Sequence, residues 1–130
     1  MHKGFLKVAA LLGALSVILG AFAAHGLKSI TDIQTVTTFE TGVRYQFYHV
    51  FAIALVGILF KRFTNNLIVR AGTFFLIGIG LFSGSLYLYT LKVVAHITFL
   101  DWVVFITPLG GVTFIVGWIC LFLGIKDSKE

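Results

Sequence analysis

The sequence predicts an all-α fold: a four-transmembrane-helix bundle in one domain over residues 1–130, with a short amphipathic helix on the outer side between helices one and two. Three observations predict it. Hydrophobic residues make up 58% of the 130 and charged residues 12%, with a mean hydropathy of +1.02, whereas soluble domains carry about 25% charged residues. Four apolar stretches of about 20 residues match a hydrocarbon core of ~30 Å at ~1.5 Å of helix per residue. The charges gather at the ends of these stretches and in the gaps between them. Little chain is left for a separate soluble domain.

The first span covers residues 5–24. Its basic start and the small residues Ala21 and Ala23 imitate a signal peptide. The apolar run, at about 17–20 residues, is longer than the 7–15 of a signal core, so it is expected to stay as a span. Residues 25–42 follow, with Ile30, Ile33, Val36, Phe39 and Val43 at helical spacing and polar residues between them. This is the amphipathic helix, capped by Ser29 or Thr31. Glu40 precedes Arg44 by four residues, the favourable order for an ion pair. The second span, 43–60, holds Arg44, Gln46 and His49 in its first turns, and the third, 71–91, has no charge. The fourth, 102–125, is also uncharged and contains Pro108, where a kink or break is expected. Helices are required because lipid cannot satisfy backbone polar groups. The gaps at 61–70 and 92–101 are short enough to force antiparallel neighbours.

Orientation follows from the positive-inside rule. With both termini cytoplasmic, Lys3, Lys7, Lys61, Arg62, Arg70, Lys126 and Lys129 lie inside, seven of the ten cationic side chains. Lys28, Arg44 and Lys92 lie outside with Asp32, Glu40 and Asp101. The expected location is the plasma membrane.

Small residues set the packing expectations. Ala9, Gly13, Ser16, Gly20 and Ala24 share roughly one face of the first helix, and Gly80 to Gly84 reads GxxxG in the third. Small side chains let backbones approach where lipid gives no hydrophobic drive. The glycines serve either packing within the chain or a seam between copies. Gly110 and Gly111, just after Pro108, permit close packing or unwinding.

Polar groups inside a membrane mark functional sites by default. His25 and His49 both map to the outer side, where Arg44, Tyr45 and Tyr87 also fall, and the two histidines are expected to approach each other. A polar outer vestibule lined by His25, Arg44, Tyr45, His49 and Tyr87 is therefore one expectation; the other is that these groups simply hydrogen-bond within the bundle. Trp102, Tyr87 and Tyr89 suit an outer aromatic belt and Trp118 an inner one.

Several function classes are disfavoured. The cations sit in ones and twos, not as the patch that binds nucleic acid. No His-x-x-x-His or Cys-x-x-Cys pair supports a metal site, no cofactor is expected, and the single Cys120 permits no internal disulfide. No nucleophile–His–acid set or phosphate-binding glycine loop is visible, so no enzyme is expected.

Four motifs, in order along nearly the whole chain, resemble a known family. They are Gly20-Ala21-Phe22-Ala23-Ala24-His25-Gly26-Leu27, the run from Phe39 to His49, Phe82-Ser83-Gly84-Ser85-Leu86-Tyr87, and Thr107-Pro108-Leu109-Gly110-Gly111 with Gly117-Trp118. They are similar to the hallmarks of the YgdD/YwdK-like small membrane proteins, which include the vertebrate transmembrane protein 256. Gly26 stands where alanine is common in that family. The resemblance implies a four-helix integral membrane protein of no established activity. The leading expectation is a membrane scaffold or interaction protein with membrane lipid and further copies of itself as partners. The alternative is a lipid, small-anion or proton binding or transport module using the outer vestibule.

Overall fold

Residues 1–125 are described by the computed structural model; Lys126 and Lys129, which contribute to the charge asymmetry, lie outside the described residues. Side chains fix where the helices begin. His2 caps α1 (Lys3–Ala24), its Nδ1 accepting from the Phe5 N–H at 3.2 Å. A 3-10 turn, Leu27–Ser29, leads to α2 (Ile33–Leu59). The cap of α2 is Asp32, not Ser29 or Thr31: its carboxylate accepts from the Thr35 N–H and the Thr35 hydroxyl, each at 2.9 Å. Thr31 instead donates its hydroxyl to that carboxylate. The Thr35 N–H, and after it the Thr35 hydroxyl, hold the Asp32 carboxyl below its ordinary value of 3.8.

The amphipathic segment and the second crossing are one helix of 27 residues, about 40 Å long at ~1.5 Å per residue. No break falls near residue 43, because nothing in 33–59 removes a backbone donor and the apolar stripe runs on. The third crossing is also longer than 71–91. It comprises α3 (Asn66–Gly78), a π-helical turn (Ile79–Ser83) and α4 (Gly84–Ala95). The fourth is a 3-10 segment, Asp101–Phe105, followed by α5 (Ile106–Gly124). Pro108 is the third residue of α5, in the first turn, where backbone donors have no partner within the helix anyway. The interruption therefore lies upstream, where 3-10 turns to α, and the body of α5 is unkinked by proline.

Two hydrogen bonds gather four helix ends at one end of the bundle. The His2 N–H donates to the Gly57 carbonyl at 2.9 Å, and the Asn65 side-chain amide donates to the Gly124 carbonyl at 2.9 Å. Asn65 also accepts, through Oδ1, from the Leu67 and Ile68 N–H groups. One side chain thus caps the start of α3 and the end of α5, sites where helices otherwise leave backbone groups unpaired.

α2 is the spine: α1 lies along one side, α3, α4 and the π turn along the other, and α5 covers α3 and the π turn. A larger apolar cluster, with Phe5, Ile53, Val56, Ile68, Phe75, Phe114 and Leu121, fills the His2 end. A smaller one, with Ala23, Leu27, Val36, Phe39 and Val43, fills the Asp32 end.

The α1–α2 pair uses the small residues read from the sequence. Ala9 and Ser16 are buried, while Gly13 faces Val50 and Gly20 faces Val43. Ala23 is buried in place of Ala24, which is exposed. The GxxxG of the third crossing has no such role among the described residues. A Cβ on Gly80 would meet nothing within 4 Å, and one on Gly84 only the Ile79 carbonyl of the preceding turn. Gly111 likewise faces open space, because α5 turns it away from its neighbours. The closest backbone approach is at Gly110, where a Cβ would overlap the backbone nitrogen and Cα of Phe82 in the π turn. At Gly117 it would lie 2.8 Å from the Phe75 ring.

These contacts separate the adjacent glycines of α5. Gly110→Ala should destabilise by about 1–3 kcal/mol through overpacking. Gly111→Ala should be neutral or stabilising by up to about 1 kcal/mol, the usual helix-interior gain. Thermal unfolding in detergent checks both, and equal effects would contradict the arrangement.

Candidate functional site

Between the two apolar clusters lies a layer of polar side chains. Gln46, 1% exposed, is its hub. Its Nε2 donates to the Leu12 carbonyl of α1 at 3.1 Å, and its Oε1 accepts from the Tyr87 hydroxyl of α4 at 2.7 Å. The buried Ser16 hydroxyl donates to the same Leu12 carbonyl at 2.8 Å. One turn before Gln46, the Gly42 carbonyl accepts from the buried Ser83 hydroxyl at 2.6 Å. The Cβ of any larger residue at 42 would lie 2.9 Å from the Tyr87 ring, so the glycine lets Ser83 and Tyr87 reach α2. Ser85 bonds to Thr107 at 2.6 Å and donates to the Phe82 carbonyl, tying the π turn to the start of α5.

His49 is buried one turn from Gln46 toward the His2 end. Its ring stacks on Phe114 with centroids 3.5 Å apart and 9° between planes. The Trp118 indole N–H, which can only donate, points at His49 Nε2 from 3.1 Å. Nε2 is therefore the acceptor, and Nδ1 carries the proton it donates to the Tyr45 carbonyl at 2.7 Å. The hydrogen-bond network thus selects one neutral tautomer. Among the described residues every buried side-chain nitrogen and oxygen has a partner.

The residues expected to line an outer vestibule do not converge. His25 is the exposed C-cap residue of α1. The α1–α2 register sets Gly13 against Val50, so His25, twelve residues further on, lies roughly 18 Å along the axis from the level of His49. The cause is the early start of α2: His49 is sixteen residues in from Ile33, about 24 Å. Arg44 is exposed on α2 and forms no ion pair with Glu40; an exposed pair of that kind gains little in water. Tyr45 is partly exposed and packs on Phe82 and Tyr48. It meets His49 through its carbonyl. His49 is buried and Tyr87 half-buried, the first bonded to Trp118 and the second to Gln46. Trp118 is turned toward His49 and not only to an inner belt.

Sequence reasoning missed Ser16, Gln46, Ser83, Ser85, Thr107 and Trp118 as members of this layer. Five of them had a common signal: uncharged polar side chains inside apolar spans, where each must find a partner.

Four spans long and apolar enough to cross a membrane, joined around a closed polar layer, define a small polytopic α-helical membrane protein. The chain belongs to the family described as "Protein of unknown function (DUF423)", whose model matches residues 19–111. It is 39% identical over 131 residues to a UPF0382 membrane protein of Haemophilus influenzae, covering 100% of this chain and 99% of that one. It is 38% identical over 120 residues to the UPF0382 membrane protein YwdK of Bacillus subtilis, covering 92% and 93%. It is 35% identical over 131 residues to the UPF0382 inner membrane protein YgdD of Escherichia coli, covering 100% and 95%. No solved structure matches. The family resemblance read from the motifs is thereby shown.

A double-mutant cycle isolates the hub. With Gln46→Leu and Tyr87→Phe, the coupling free energy from unfolding in detergent should be about 0.6 kcal/mol, the average for hydrogen bonds between membrane helices, and no more than about 1.7 kcal/mol. Additive effects would mean that the two groups do not interact.

Proposed function

We propose that this chain is a non-catalytic scaffold of the plasma membrane, with both termini in the cytoplasm, that engages neighbouring membrane proteins and further copies of itself through its lipid-facing surface. The observation that carries this reading is the commitment of the interior: the buried polar groups of all four spans are spent on one another. Much of what faces outward is apolar. Leu11, Val17 and Ile18 of α1 are 61–71% exposed and Phe122 of α5 is 77% exposed. α1 packs on α2 and leaves most of its circumference outward, so a partner helix has room to lie along it.

The orientation rests on charge. Lys3, Lys7, Lys61, Arg62 and Arg70 belong to the end that carries the N-terminus, and Lys126 and Lys129 follow α5 in sequence. At the other end Lys28, Arg44 and Lys92 are balanced by Asp32, Glu40 and Asp101. The positive-inside rule then sets the first end in the cytoplasm.

Two measurements check this. In a Cys120→Ala background, an impermeant thiol reagent on intact cells should label a cysteine at position 98 and leave one at position 64 unlabelled; the reverse pattern inverts the orientation. A photoreactive residue at 11, 18, 115 or 122, irradiated in native membranes, should give discrete protein adducts at 11 and 18, some of them between differently tagged copies of the chain. Lipid adducts alone at all four positions would contradict the scaffold reading.

A further inference from the structure

At the Asp32 end, the first turns of α2 lie beside the last turns of α4. Thr38 of α2 and Tyr89 of α4 line two cavities at once. The first, about 480 Å³, runs on past Leu86, Val104, Pro108 and Gly111 and is mainly apolar. Its size falls within the ~300–1,000 Å³ usual for ligand sites. The second, about 280 Å³, is polar and adds Asp32, Gln34 and Thr35. Joined at Thr38 and Tyr89, they form one groove with an apolar length and a polar end. The exposed rings of Phe99, Trp102 and Phe105 belong to the same end of the bundle, and aromatic residues of this kind gather where hydrocarbon meets water.

The polar end has a definite electrostatic character. The Asp32 carboxylate takes its hydrogen bonds from neutral donors, the Thr35 N–H and the Thr35 and Thr31 hydroxyls. It makes no ion pair among the described residues. A carboxylate has about four acceptor sites, so capacity for a further donor remains. Tyr89 makes no hydrogen bond through its hydroxyl within the described chain; its ring lies 5.6 Å from the Lys92 ammonium, which is paired to Asp101 at 2.6 Å.

We propose that this groove binds a phospholipid with a zwitterionic primary-amine headgroup, one acyl chain along Leu86, Val104 and Gly111, the phosphate at the Tyr89 hydroxyl and the ammonium at Asp32. An acyl chain matches the apolar length, and the charge at Asp32 selects among headgroups. An acidic headgroup brings a second negative charge toward Asp32. A quaternary ammonium brings a positive charge without an N–H to donate. The primary ammonium supplies both. The site is separate from the Gln46 layer and independent of the scaffold reading.

The test is native mass spectrometry of the purified full chain in detergent, exchanged with equal concentrations of dioleoyl phosphatidylethanolamine, phosphatidylglycerol and phosphatidylcholine. The phosphatidylethanolamine adduct should saturate at one per chain and exceed each of the others by about fivefold, the upper range for an exposed ion pair. Asp32→Asn keeps the helix cap, since Asn caps as well as Asp, and should bring the three lipids level. Gly111→Phe fills open space in the groove and should abolish the adducts while the melting temperature holds. Should that variant not fold, Val104→Trp, at a 46% exposed position, blocks the same groove. Absence of a saturable adduct, an equal preference in the unaltered chain, a preference that survives Asp32→Asn, or adducts that survive the blocking variant would each overturn the proposal. So would a dimer that forms as the adduct is lost, which would assign the groove to a second copy of the chain.

Discussion

The architecture depends on a single buried amide. Gln46 sits in the middle helix of the bundle with its donor on the α1 backbone and its acceptor on a hydroxyl of α4. In water such a side chain would exchange these partners for solvent at little cost. Inside a membrane no solvent replaces them, and an unpaired amide costs several kcal/mol. The helices must therefore take the one relative height that satisfies both ends. That height is also the register in which Gly13 meets Val50 and Gly20 meets Val43, and in which Ser83 reaches the Gly42 carbonyl. Apolar packing and polar bonding agree.

Lipid gives helices no hydrophobic reason to associate, so shape and hydrogen bonds carry the remaining contacts. Gly110 lets α5 press against the backbone of the π turn, and the Ser85–Thr107 bond fastens the same junction. Asn65 does for two helix ends what two caps would otherwise do. Where the polar layer meets the larger cluster, His49 is held flat between Phe114 and its hydrogen bonds, an aromatic side chain in shape and a polar connector in chemistry.

Most of the fold was legible because hydropathy and length are local properties. Four spans, their antiparallel order and the small-residue face of α1 follow from residues three and four apart. The site was less legible for identifiable reasons. Gln46 was visible as a polar residue in an apolar span, but its partners lie 34 and 41 positions away, one of them a backbone carbonyl that no side-chain pattern reports. The depth of His49 was misjudged because α2 begins at Ile33, so counting from residue 43 sets it too near the surface. For the GxxxG of the third crossing, the sequence leaves packing within the chain and a seam between copies both open, and an α-helical period through it does not show which way it faces. The π turn at Ile79–Ser83 breaks that period. Each extra residue there rotates the remainder of the helix by roughly 100°, and among the described residues Gly80 and Gly84 end up facing no other helix.

A closed interior leaves the outer surface and the groove at the Asp32 end for interactions with other molecules, which is how the scaffold and lipid readings share one structure. The scaffold reading needs the Gln46 layer to stay shut. The most direct test of that claim is side-chain hydrogen exchange by NMR in detergent micelles, because the chain's other glutamine, Gln34, is exposed and serves as an internal reference. The Gln46 amide protons should persist in deuterated water long after those of Gln34 have gone. Equal exchange of the two glutamines would mean that water reaches the layer, and the core would be neither sealed nor self-satisfied.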